Sequence, residues 1–267
     1  MLRESRRNPY RAQWDEYISR WDPTEIGDGS LPKGSWPGDE WGTRRNWDQV
    51  FRTMFLNFDA HSWRHCVEIG AGSGKYTKLL LEHTAADIIA CDISRGFLDA
   101  LTQRLGSEVK AGRVIPVLLE GITSSEILDY LDDRRLTGQI DAFYSIDAMV
   151  HVTLQHLITY LLTAAVCLRK DGMVLLTIPN ATSEKGFATL LTDAKRCYRE
   201  QSDPSIPRFE WLCPELVTDV FARLGFETQF VLPFGGSMSE YRDLHIAATL
   251  TDLSQVQRFR NAIASDG

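Results

Sequence analysis

Along most of this chain the apolar residues come in short, nearly unbroken runs, the pattern of strands buried on both faces of a sheet. Five such runs are His65-Cys66-Val67-Glu68-Ile69, residues 87–92, residues 113–119, residues 140–146 and residues 173–178. Helical signals fall between them. Thr123 and Glu126 form a T-x-x-E capping box for a helix through Leu131, and residues 154–169 read as a helix closed by Gly172. Each strand thus feeds a helix, the order that right-handed crossovers between parallel strands require. The alternation stops near the end. A helix over 214–224 is ended by Gly225, and two strands, 226–232 and 243–250, follow with no helix between them, which predicts an antiparallel hairpin.

The first strand runs directly into Gly70-Ala71-Gly72-Ser73-Gly74-Lys75. Glycines at alternate positions permit a tight strand-to-helix turn whose backbone can lie against a ligand. The spacing differs from a dinucleotide fingerprint, because the third glycine arrives one residue early, at Gly74, and Lys75 stands at the sixth position. Glu68, before the loop, would repel a pyrophosphate but can hold a cationic ligand, directly or through water; S-adenosylmethionine carries such an amino group. The second strand ends in Asp92, 22 residues beyond Gly70. A carboxylate there can accept from both hydroxyls of an unphosphorylated ribose.

On Glu68, Gly70, Gly72, Gly74 and Asp92 the chain resembles the class I S-adenosylmethionine-dependent methyltransferases, over roughly residues 63–250. The resemblance implies an α/β, Rossmann-like, doubly wound seven-stranded sheet whose last strand inserts antiparallel beside the fifth. It also implies S-adenosylmethionine as cofactor and S-adenosylhomocysteine as product. The cofactor set expected from it is Glu68, Gly70, Ala71, Gly72, Gly74, Asp92, Ile93, Glu120, Gly121, Ser145, Ile146 and Asp147. Within that set Ile93 is an apolar adenine contact, and Glu120 either accepts from the adenine amine or is a solvated surface acid. Asp147 would position the methionine end of the cofactor, accept a substrate proton, or join a metal site. No second acid follows strand five until Glu184, so no metal is expected.

A sulfonium methyl is already activated, so the protein's main task is to hold a nucleophile in line and exclude water. A hydroxyl acceptor gains further from a base. His151, just past the fourth strand, is the candidate catalytic residue, with a structural histidine as the alternative; His156 lies on the next helix and points elsewhere. Residues 208–211 (Arg-Phe-Glu-Trp) are a possible substrate wall, and the Gly235-Gly236-Ser237-Met238-Ser239 stretch is a substrate-side loop or a plain connection.

Residues 1–60 differ in character. They hold five of the seven tryptophans (Trp14, Trp21, Trp36, Trp41, Trp47), a Gly/Pro-rich linker over 27–42 and a helix over 48–58. This segment reads as an aromatic-rich helical cap, of one or two helices, folded over the cofactor cleft; the aromatics either wall the substrate site or staple the segment down. Arg3, Arg6, Arg7 and Arg11 make residues 1–11 a basic tail with no apolar run behind it, neither a secretory signal nor a membrane anchor. The organisation expected is a cap or lid over 1–60, a methyltransferase domain over 61–252 and a tail over 253–267.

At 267 residues, 43% apolar and 24% charged, the chain suits one α/β core with additions. Its net charge of −7 disfavours a polyanionic partner, and Ser145-Ile146-Asp147-Ala148 stands where base-amine methylases carry a proline-rich loop. The five cysteines are odd in number and scattered, as reduced core thiols are. A cytoplasmic monomer or homodimer acting on a small molecule is expected, without membrane insertion, with a hydroxyl oxygen as the acceptor atom. The alternatives are N-methylation of a small amine, a nicotinamide-dependent oxidoreductase, and a non-catalytic cofactor-binding partner protein.

Overall fold

The computed structural model describes residues 11–22, 36–37, 50–121, 124–198, 209–233, 242–254 and 258. The strand order is β3-β2-β1-β4-β5-β7-β6, a seven-stranded mixed sheet. The chain divides into two compact units, Met1–Glu120 and Gly121–Gly267.

The first unit carries three parallel strands: β1 (His65–Ile69), β2 (Asp87–Asp92) and β3 (Val114–Leu118). Four of the five β1 residues and five of the six β2 residues are buried, as their unbroken apolar runs require. The helices are α1 (Arg11–Arg20), α2 (Lys75–Leu81), α3 (Arg95–Arg104) and the short α4 (Gly106–Lys110). The expected helix over 48–58 is seen from residue 50 and widens into a π-helical turn, Arg52–Leu56, whose Phe55 ring stacks on Phe51 at 5.0 Å. Arg11 belongs to no free tail. It opens α1 and is anchored by its guanidinium; residues 1–10, and all of the predicted linker but 36–37, lie outside the described residues.

The second unit carries β4 (Ile140–Ser145), β5 (Leu168–Pro179), β6 (Phe226–Pro233) and β7 (Asp243–Leu250), with helices α5 (Ser125–Asp133), α6 (Leu154–Cys167), α7 (Glu184–Tyr198) and α8 (Pro214–Arg223). β5 runs parallel to β4, whereas β7 lies antiparallel between β5 and β6, the arrangement expected of the last two strands. Two boundaries move. The helix α6 stops at Cys167, and Gly172 is part of β5: Leu168 pairs with Ile140, residues 169–172 bulge out, and pairing resumes at Met173 opposite Ala142. A Cβ on Gly172 would stand 2.9 Å from the Arg169 carbonyl oxygen and 3.0 Å from that of Ile140, so the glycine serves close backbone approach rather than a helix cap. The capping box also shifts. The N-cap of α5 is Ser124, whose hydroxyl donates to the Thr159 carbonyl and accepts from Thr163 Oγ1 instead of capping; Thr123 lies outside the described residues. Helix α7 is an element the sequence pattern did not mark.

Candidate functional site

In the first unit the strand-to-helix turn has Gly70, Gly72 and Gly74 at φ of 72°, 54° and 91°. Gly74 shows why no other residue fits: besides its left-handed backbone, a Cβ there would come within 2.9 Å of Leu105 Cδ1 and 3.2 Å of Leu101 Cγ. The turn is tied to β2 by the Gly70 and Ala71 amides, both of which donate to the Cys91 carbonyl. Gly72 N–H donates to Asp92 Oδ2 at 2.8 Å, while Ser94 N–H donates to Asp92 Oδ1 at 2.8 Å. Backbone donors therefore reach both carboxylate oxygens, and the Ile93 amide adds to them. Asp92 is 5% exposed, and burial pushes its carboxyl up to about 6, against the opposing effect of these amides. Glu68 is also buried; its carboxylate accepts a 2.5 Å hydrogen bond from Thr77 Oγ1 on α2.

Ile93 is half-buried, with its carbonyl accepting from Arg11 Nε at 2.8 Å. Glu120 is exposed, follows β3 and pairs with Arg11 Nη1 at 3.0 Å; Gly121 is the first residue of the second unit. A guanidinium thus stands beside the carboxylate assigned to adenine. Sequence reasoning missed Thr77, Ser94, Asp15 and the role of Arg11. Ser94 alone carried a signal, as a serine two residues past a strand-end aspartate and opening a helix, where it caps Phe97 N–H.

In the second unit Ser145 and Ile146 are buried at the end of β4. Asp147 follows in a left-handed conformation, φ 61°, its N–H donating to Thr177 Oγ1 at 2.7 Å. A non-glycine residue held there is strained, as is common where a side chain must be aimed. His151 sits on a 3₁₀ turn, Met149–His151, and stacks on Phe209 with centroids 5.1 Å apart and planes at 20°. Phe209 is delivered by main-chain bonds. Glu210 N–H donates to the Val150 carbonyl, and Leu212 pairs alongside the end of β5 at Asn180. Trp211 meets Phe209 edge-on at 5.7 Å; Arg208, the remaining cation of this wall, lies outside the described residues. The cation present is instead Arg242, 4.2 Å over the Phe209 ring, chelated by Asp243 through two 2.7 Å hydrogen bonds and 3.4 Å from Asp147 Oδ1. The Gly235–Ser239 stretch is outside the described residues, and His156 is engaged at the start of α6 with Thr153. His245 of β7, opposite Thr177 in the ladder to β5, is 2% exposed, and burial pulls its imidazole down to about 4, so it is neutral at physiological pH.

No helix among the described residues is long and apolar enough to cross a membrane, and none of their acids, cysteines and histidines cluster in threes or more as a metal site would need.

Residues 48–135, spanning β1 to α5, match a family model described as histidine-specific, S-adenosylmethionine-dependent methyltransferase. No curated protein matches the sequence. Among solved structures, magnesium protoporphyrin IX methyltransferase from Synechocystis PCC 6803, with bound S-adenosylhomocysteine, aligns at TM-score 0.61 and 13% identity over 94% of this chain and 98% of that one. Geranyl diphosphate C-methyltransferase from Streptomyces coelicolor A3(2) aligns at 0.58 and 11% over 91% and 99%. A phosphoethanolamine N-methyltransferase from Haemonchus contortus aligns at 0.61 and 15%; this chain is covered completely and spans 55% of that one. The likenesses carry the fold and the family model carries the cofactor. The fold and the match over residues 48–135 are those of an S-adenosylmethionine-dependent methyltransferase, an enzyme whose cofactor is S-adenosylmethionine, and they favour that cofactor over the nicotinamide alternative.

Proposed function

We propose that the enzyme moves the methyl group to a hydroxyl oxygen of a small molecule, with His151 as the base. The observation that carries this reading is the His151–Phe209 stack at 5.1 Å, which fixes a half-buried imidazole just past the end of β4 on a 3₁₀ turn. The cofactor supplies a methyl carbon already activated by its sulfonium. Everything else falls to the chain. Asp92 holds the ribose hydroxyls, Gly70, Ala71, Gly72 and Gly74 keep the backbone close, and Glu68 attracts the amino group, directly or through water. Ile93, Glu120 and Gly121 receive the adenine; Ser145, Ile146 and Asp147 border the methionine end. His151 takes the acceptor's proton as the oxygen–carbon bond forms and the sulfur–carbon bond breaks, leaving neutral S-adenosylhomocysteine. Phe209 and Trp211 offer a planar apolar surface to the acceptor. The proposed organisation remains a cap over 1–60 ahead of a methyltransferase domain over 61–252, and five free cysteines support a reducing, cytoplasmic setting.

A second reading is N-methylation of a small amine. It is favoured by the acids Asp147 and Asp243, which stand together beside Arg242, and by the description of the family matched over 48–135. Turnover of matched hydroxyl and amine acceptor panels by the wild-type enzyme and by His151→Gln separates the two. Loss confined to hydroxyl acceptors supports the first reading. Amine turnover that survives the substitution, with no hydroxyl turnover in either protein, supports the second.

A further inference from the structure

Helix α1 is poorly equipped to form by itself. It has ten residues, none of them buried, no acid in its first turn, and an arginine at the end where the helix dipole disfavours positive charge. It is nevertheless fastened to the first unit by two side chains, and both fasten it to the same place. Arg11 uses all three guanidinium nitrogens: Nε donates to the Ile93 carbonyl at 2.8 Å, Nη2 to the Leu119 carbonyl at 2.5 Å, and Nη1 to Glu120 Oε2 at 3.0 Å. One turn later, Asp15 Oδ1 accepts from Ser94 Oγ at 2.5 Å and from Gly96 N–H at 3.2 Å, which puts a carboxylate at the N-terminus of α3. Ser94 is the relay, because its own N–H donates to Asp92 and its oxygen accepts from Phe97 N–H. A third connection is apolar. Trp14 and Tyr17 pack on Phe97 with ring centroids 6.3 and 6.1 Å apart, and the nearest side-chain atom to a Cβ built on Gly72 is Phe97 Cδ1, at 3.7 Å. Gly96 permits the approach, since a Cβ there would stand 2.8 Å from Ile18 Cγ2.

The polar contacts end on Ile93, Ser94, Gly96, Leu119 and Glu120, and the aromatic ones on Phe97, so all fall within residues 93–97 and 119–120, just past the ends of β2 and β3. We propose that α1 is a clamp for the nucleoside half of the cofactor, with Arg11 and Asp15 as positioning residues: Arg11 sets the Ile93 and Glu120 backbone and carboxylate, and Asp15, through Ser94, sets the Asp92 carboxylate. The inference rests on the assignment of those residues to ribose and adenine. Because the clamp and the cofactor order the same few groups, each strengthens the binding of the other. A plain structural staple would lower stability without touching affinity.

The test is calorimetric titration of the full chain with S-adenosylhomocysteine, on wild type, Arg11→Lys and Asp15→Ala, beside thermal melting of the ligand-free proteins. Arg11→Lys keeps the charge and loses the three-pronged geometry. Each variant is expected to weaken binding by about tenfold, which is about 1.4 kcal/mol, with ligand-free melting within about 2 °C of wild type. Trypsin cleavage after Arg20 is expected to slow severalfold when S-adenosylhomocysteine is added to wild type. Unchanged affinity in both variants, or cleavage indifferent to ligand, overturns the clamp while leaving the cofactor site standing. Failure of wild type to bind S-adenosylhomocysteine overturns the cofactor site itself, and the clamp with it.

Discussion

The two units hold their charged groups by different means. In the first, Asp92 is fixed almost wholly by backbone: the main-chain amides of Gly72, Ile93 and Ser94, a glycine turn and the ladder to β3. In the second, Asp147, Arg242 and Asp243 are fixed by one another, and His151 and Arg242 by the ring of Phe209. A backbone-built site changes little when surface side chains change, so it suits a group common to many enzymes. A side-chain-built site can be altered by single substitutions, so it suits the part that selects an acceptor. The family match over 48–135 falls chiefly on the backbone-built part.

The contrast can be broken most sharply at His151. His151→Gln is expected to lower kcat on a hydroxyl acceptor by about 10²-fold or more while leaving the S-adenosylhomocysteine dissociation constant unchanged, as read by steady-state kinetics beside calorimetry. Next is Asp92→Ala, expected to raise that constant by about 10²-fold, through loss of charge-assisted hydrogen bonds to ribose. A smaller effect is expected of Thr77→Val, which leaves the buried Glu68 carboxylate one donor short: denaturant unfolding should show a loss of about 1–2 kcal/mol. No loss there would mean that Glu68 is served adequately by other donors.

The smallest effect concerns pH, where the two units pull in opposite directions. Asp92 has a folded value of about 6, above its usual 3.8; the stability this represents is present below pH 3.8 and is lost as pH rises through about 6. His245 has a folded value of about 4, below 6.5; its contribution is present above pH 6.5 and is lost as pH falls through about 4. Between about pH 4 and 6 the two offset each other. Asp92→Asn should therefore unmask a melting temperature that drops more steeply on acidification than wild type, and His245→Phe the reverse. Parallel melting curves from pH 4 to 7 in all three proteins would refute the opposition.

The same difference explains what was legible in the sequence. The glycine turn, Glu68 and Asp92 were readable because their geometry is set by spacing within one strand-turn-helix-strand unit, and the antiparallel end of the sheet was readable from two strands without a crossover. Arg242 and Asp243 were not, since nothing local distinguishes them from surface charges; they matter only because β7 starts beside the end of β5, where Asn180 N–H donates to the Arg242 carbonyl. Arg11 was misread as a tail residue, since its partners lie 82 to 109 positions away. Gly172 was misread as a helix stop because a glycine after a helical run carries the same signal whether it caps a helix or lets two carbonyls approach within a bulge.

The position of β7 bears on how the chain acquires its structure during synthesis. This strand pairs with β5 on one side and β6 on the other, and six of its eight residues, Leu244 to Ala248 and Leu250, are buried. Until the ribosome has released residue 250, β5 has no partner on that flank, and β6 has nothing to pair with at all. The nascent second unit must therefore wait, with an apolar sheet edge uncovered, for one late strand to arrive. That interval is when chaperone binding would count most.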